Sequence, residues 1–154
     1  MSEISARKLA DYIIRFAHEC GEPISNLKLQ KLLYYAQAWY LARHGKPLFN
    51  ERIEAWVHGP AVPPVYGAFK KWTWQTIEKP DSPICLSPGV QKHVNEVLER
   101  YGPLTPIHLE QLTHREDPWR LARAGIPNDQ PSHAVISHRS MQVFYGKRLH
   151  AHAR

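Results

Sequence analysis

The chain has 154 residues, 43% of them hydrophobic and 22% charged, with a formal net charge of +6. That length suits a single domain whose core folds without staples, and no apolar run reaches the ~20 residues of a membrane span. Cys20 and Cys85 are too few for a disulfide framework, and no apolar stretch follows the charges of the N-terminus. Neither secretion nor a signal peptide is therefore expected, and the chain reads as a cytoplasmic domain with reduced thiols.

Leu9, Ile13, Phe16, Ala17 and Cys20 recur at helical spacing and predict a helix over 5–20, with one apolar face that carries Cys20 into the core. Gly21, Glu22 and Pro23 end it. Ser25 has the character of an N-cap, with Ile24 placed to staple onto Leu29. Leu29, Leu32, Leu33, Ala36, Trp39 and Tyr40 then mark a long helix over 26–44, again with one buried face, stopped by Gly45 and Pro47. From 47 to 88 the pattern blurs: residues 53–60 fit a short helix or an extended turn, Pro63-Pro64 starts a helix through Val65, Tyr66, Phe69 and Trp72, and 79–88 is a loop. Ser87-Pro88 opens a helix closed by Gly102, and Thr105-Pro106 opens another, with Leu104 stapled to Leu109. Asp117 is the expected cap of a short helix through Trp119 to Gly125, with Glu116 only flanking it. Ser137 precedes a Met141, Phe144, Tyr145, Leu149 stripe, and residues 146–154 are expected to form a frayed basic tail. The fold class is all-α: one compact domain over 1–154, with six or seven short-to-medium helices and Pro- and Gly-rich turns.

Charge is unevenly spread. No acid follows Asp129, whereas Arg139, Lys147, Arg148 and Arg154 do. Such a segment suits nucleic acid or an acidic protein surface, and equally a solvated helix end.

Nothing in the spacing builds a catalytic or metal site. The ten histidines include no His-Glu-x-x-His helix and accompany no Cys-x-x-Cys pair. There is no Gly-x-Ser-x-Gly elbow and no Gly-rich phosphate loop. The carboxylate pairs, Glu96 with Glu99 and Glu116 with Asp117, have structural explanations as a solvated face and a helix start. The chain reads as a non-enzyme, with no catalytic residue, metal or cofactor.

Aromatic residues carry the stronger signal. Trp39 and Tyr40 lie on or beside a helical stripe and read as core. Trp72 and Trp74 follow Lys70-Lys71 in a polar stretch, where an exposed tryptophan suits a protein interface. His114, at the end of the Thr105 helix, either caps its last carbonyls or touches a partner.

The run Asn26-Leu27-Lys28-Leu29-Gln30-Lys31-Leu32-Leu33-Tyr34-Tyr35-Ala36-Gln37-Ala38-Trp39-Tyr40 resembles the Panacea antitoxin domain family, with its SocA-like antitoxins and GepA-type phage-associated proteins. Further blocks match in family order: Gly45 to Phe49; Ile53 to Trp56 running into Gly59-Pro60, Val62-Pro63, Val65-Tyr66 and Phe69-Lys70; and Leu112-Thr113-His114 with Pro118-Trp119 and Ala122-Arg123. The resemblance implies an all-helical protein that neutralises a cognate toxin, encoded by a neighbouring gene, through stoichiometric protein–protein contact. In the SocA branch it implies delivery of that toxin to a protease as well. Many members add a DNA-binding domain; the first matching helix here starts near Ser5, so none is expected. The alternative reading is a nucleic-acid-binding regulator that uses the basic C-terminal segment. Expected partners are the toxin and, in the SocA manner, a protease, rather than nucleic acid or a membrane.

A family whose members neutralise unrelated toxins needs a rigid core and an adaptable surface. That places the partner-binding residues at Trp56, His58, Tyr66, Lys70, Lys71, Trp72, Trp74 and His114. Prolines limit the entropy this stretch loses on ordering, and tryptophans offer contact area at low rotamer cost.

Overall fold

The computed structural model describes residues 4–152, and α2 (Asn26–His44) runs through its centre. Packed on α2 are α1 (Ala6–Glu19), α3 (Pro63–Ala68), α4 (Pro88–Tyr101), α5 (Pro106–Arg115) and α7 (His138–His152). The short α6 (Asp117–Arg123) joins α5 to α7. Among the described residues the fold is predominantly helical, with seven α-helices and one small hairpin, β1 (Glu54–Trp56) and β2 (Gly59–Ala61).

Local chemistry starts these helices where the sequence places the caps. The hydroxyls of Ser5, Ser25, Thr105 and Ser137 accept from the backbone N–H groups of Lys8, Lys28, His108 and Ser140 at 3.1–3.3 Å. Gly45 closes α2 in the left-handed conformation at φ 71°.

The expectation of one buried face fails for α2. Every residue from 29 to 41 is buried, because neighbours surround the helix on all sides. Its polar side chains are therefore inside, and the amides Asn26, Gln30 and Gln37 are tied to the chain that follows the helix. Gln37 accepts from Leu48 N–H at 2.7 Å and donates to the Phe49 carbonyl at 2.7 Å. Gln30 accepts from Val62 N–H at 2.8 Å, and Asn26 donates to the Tyr66 carbonyl at 3.1 Å. These bonds satisfy irregular backbone that burial would otherwise leave unpaired.

Of the two readings for residues 53–60, the helix fails and the extended one holds, as a hairpin in register Glu54↔Ala61, Ala55↔Pro60 and Trp56↔Gly59. Gly59, at φ 111°, holds a backbone conformation closed to most side chains. The outer edge of β1 is covered by the segment before α7: Ala55 N–H donates to the Ala134 carbonyl, and Ile136 N–H to the Ile53 carbonyl, both at 2.8 Å.

Cys20 is exposed, not buried, because α1 ends at Glu19 and its stripe outlasts the packing; Phe16 and Ala17 are already only half covered. Asp117 does not cap α6. Glu116 occupies the cap position without a side-chain cap bond, and its carboxylate points into the core instead. There it accepts from Tyr35 (2.6 Å), Tyr145 (3.0 Å) and Arg148 (2.8 Å). Burial holds the Glu116 carboxyl above the usual range despite these donors. The segment expected to fray from residue 146 continues as α7 to His152, and 153–154 lie outside the described residues.

Candidate partner-binding site

The hairpin and α3 stand over the N-terminal part of α2, and an open groove of about 390 Å³ lies between them. Of the eight expected residues, Trp56, His58 and Tyr66 line this groove, together with Gln30, Lys31 and His133. The Trp56 and Tyr66 rings meet edge to face at 5.0 Å, and His133 adds a second edge contact to Trp56 at 5.9 Å. Glu54 fixes this wall by accepting from Trp56 Nε1 (2.9 Å) and Arg52 (2.7 Å), with His133 Nδ1 at 3.3 Å. Burial of Glu54 opposes its ionisation, but the hydrogen bonds from Trp56, Arg52 and His133 outweigh it and leave the carboxyl below its ordinary value.

Lys70, Lys71, Trp72 and Trp74 form a separate ledge beyond α3. A short 3-10 turn, Lys70–Trp72, exposes both lysines and leaves Trp74 83% exposed. Lys71 Nζ lies 5.2 Å from the Trp72 ring centroid, a cation–π pair on a half-buried indole. His114 sits behind the hairpin. Its ring stacks on Trp119 at 4.0 Å, its buried Nε2 has no hydrogen-bond partner among the described residues, and burial lowers its pKa.

The sequence reading misses Lys31. It is 1% exposed, and its Nζ donates to the Pro60 carbonyl at 3.3 Å. Burial pushes the ammonium down to about 7, with the Glu110 carboxylate opposing from beyond ion-pair range. Gly59 makes the approach possible: a Cβ there would lie 2.7 Å from Lys31 Cε and 2.9 Å from Thr113 Oγ1. The one hint of the lysine's burial in the sequence is the apolar and aromatic density of Leu32 to Tyr40, which is compatible with burial of α2 but does not by itself place Lys31 inside. His133, far along the chain in a polar loop, has no such signal.

A lysine held this way should oppose folding. Lys31→Met is expected to raise stability by about 1–2 kcal/mol at neutral pH, since an apolar isostere of a buried, poorly paired charge is neutral to stabilising. The folded pKa near 7 lies below the ordinary 10.5, so above pH 7 the unfolded chain binds the extra proton. Wild-type stability therefore gains on the variant as pH rises from 7 toward 10.5, and the advantage of methionine shrinks. Urea midpoints of the two proteins at pH 7 and pH 9.5 check both the sign and the trend.

The basic C-terminal segment is partly structural. Arg148 is bound to Glu116, while Arg139 and Lys147 remain exposed. Among the described residues, no three His, Cys, Asp or Glu side chains gather as a metal cluster, and no helix is long and apolar enough to cross a membrane.

The groove and the ledge thus present aromatic and cationic side chains on a helical scaffold. The family described as "Antitoxin SocA-like, Panacea domain" matches residues 29–120. Antitoxin SocA of Caulobacter vibrioides (strain NA1000 / CB15N) is 33% identical over 135 residues, covering 79% of this chain and 72% of that relative. The chain belongs to the SocA-like Panacea antitoxin family. No solved structure gives a significant match to it.

Proposed function

We propose that this protein is the antitoxin of a toxin–antitoxin pair and that it neutralises its toxin by direct, stoichiometric, non-catalytic binding. The observation that carries the reading is the match to an antitoxin family across α2, the hairpin, α5 and the start of α6, the elements that build the groove and its support. The surface supports contact rather than chemistry: Trp74 stands open to solvent beside two exposed lysines, apart from the aromatic-walled groove.

The test is co-expression with the product of the neighbouring gene. Wild type should restore growth and form a complex on gel filtration. Replacing Lys70 and Lys71 by glutamate should weaken rescue at least tenfold while moving the thermal midpoint by no more than a few degrees, as for other exposed positions. Trp74→Ala should behave likewise, whereas Trp72→Ala also loses packing and some stability. Full rescue by all of these variants at wild-type expression would move the contact surface elsewhere. Toxin half-life with and without the antitoxin separates neutralisation by contact from delivery to a protease.

A further inference from the structure

The groove beneath the hairpin holds a buried lysine without a counter-charge. Lys31 has three N–H donors, and its one hydrogen bond, to the Pro60 carbonyl, is long. Most of the other polar groups around it are committed, the exceptions being the Tyr66 hydroxyl and His114 Nε2, which is buried without a hydrogen-bond partner among the described residues. Gln30 is bound to Asn26 and Val62, Trp56 Nε1 to Glu54, and His58 and His133 face Glu110 and Glu54 at 3.1 and 3.3 Å. The nearest acid, Glu110, is held by His58 outside ion-pair distance of Lys31. The Tyr66 hydroxyl, on the same groove, has no hydrogen-bond partner among the described residues. A buried ammonium so placed lacks the acceptor that normally accompanies a buried charge.

We propose that a carboxylate of the protein partner, from an Asp or Glu side chain or a chain end, inserts into this groove and completes Lys31. The proposal rests on the antitoxin reading and specifies how the toxin is gripped. One ammonium and one hydroxyl suit a single carboxylate; a phosphate would call for a fork of arginines or a row of backbone amides, which the groove does not offer. A cavity of about 390 Å³ accommodates one or two residues, and the Trp56 and Tyr66 rings give an apolar bed to the stem of the inserted side chain.

Two measurements on the full chain test this. In the first, N-acetyl-L-phenylalanine and its carboxamide are titrated while the Lys31 side-chain and Trp56 indole NMR signals are followed. The acid should shift both signals saturably and bind at least tenfold more tightly than the amide. Lys31→Met should abolish the difference and Tyr66→Phe reduce it. Equal responses to acid and amide, or shifts confined to other residues, overturn the carboxylate site. In the second, the complex with the neighbouring toxin is titrated. Lys31→Met, folded and at least as stable as wild type, should weaken it at least tenfold; unchanged affinity overturns the partner as occupant. If wild type itself does not bind the toxin, the antitoxin reading fails and the partner claim with it, while the first measurement still decides the chemistry of the groove.

Discussion

Trp119→Ala is expected to destabilise the protein by about 3–5 kcal/mol, the range for truncating a large buried aromatic. Trp119 is 1% exposed, and its Nε1 donates to the Trp56 carbonyl at 2.8 Å. His114 stacks on the ring at 4.0 Å, and the Arg123 guanidinium lies 4.7 Å from its centroid. Arg123 in turn donates to the carbonyls of Ala55, Pro127 and Gln130. Removing the indole therefore opens a cavity and loosens the bracket that holds β1 from behind. A urea titration checks this: the midpoint should fall sharply. An unchanged midpoint would mean that the ring is not buried. Trp119→Phe, which keeps most of the area and loses the hydrogen bond, should cost much less.

Glu116→Ala should cost about 3 kcal/mol, the low end for breaking a buried ion pair. Glu116 is 4% exposed and is the shared acceptor of Tyr35, Tyr145 and Arg148. Alanine leaves two buried hydroxyls without that acceptor. Arg148 lies partly at the surface and can turn to water, which keeps the loss from being larger. Tyr145 also faces the Tyr34 hydroxyl at 3.0 Å, and since it donates to Glu116, Tyr34 must donate to it. The chain of donors therefore ends on this one carboxylate. Glu116→Gln keeps a carbonyl for the tyrosines but presents an N–H₂ group toward the carboxylate's other donor, so an intermediate loss is expected. Thermal melts of the three proteins at neutral pH give the order.

Glu116 also shows where reading the chain stops. In sequence it flanks a helix start, next to Asp117 and Pro118, and a carboxylate there has a sufficient local explanation. Its actual role depends on Tyr35, 81 positions away, and on Tyr145, 29 away. Lys31 follows the same logic. Helical spacing places it correctly on α2, but its burial depends on how many neighbours α2 has. Among the proposed contact residues, His114 reads as a helix-end histidine and turns out to stack behind the hairpin on Trp119.

The sequence by itself determined the helical class, the family, the helix starts at Ser5, Ser25, Thr105 and Ser137, and the burial of Trp39 and Tyr40. All but the family depend on neighbours within about one or two helical turns, over which caps, prolines and apolar period act. Only the tertiary structure decided that α2 is covered on every side, that residues 53–60 pair as a hairpin against 134–136, and that Trp56, Tyr66 and Lys31 share a groove while Lys70 to Trp74 stand apart. Those outcomes depend on elements distant in sequence, and a local pattern cannot distinguish a helix with one packed face from one with none exposed when its polar residues find buried partners.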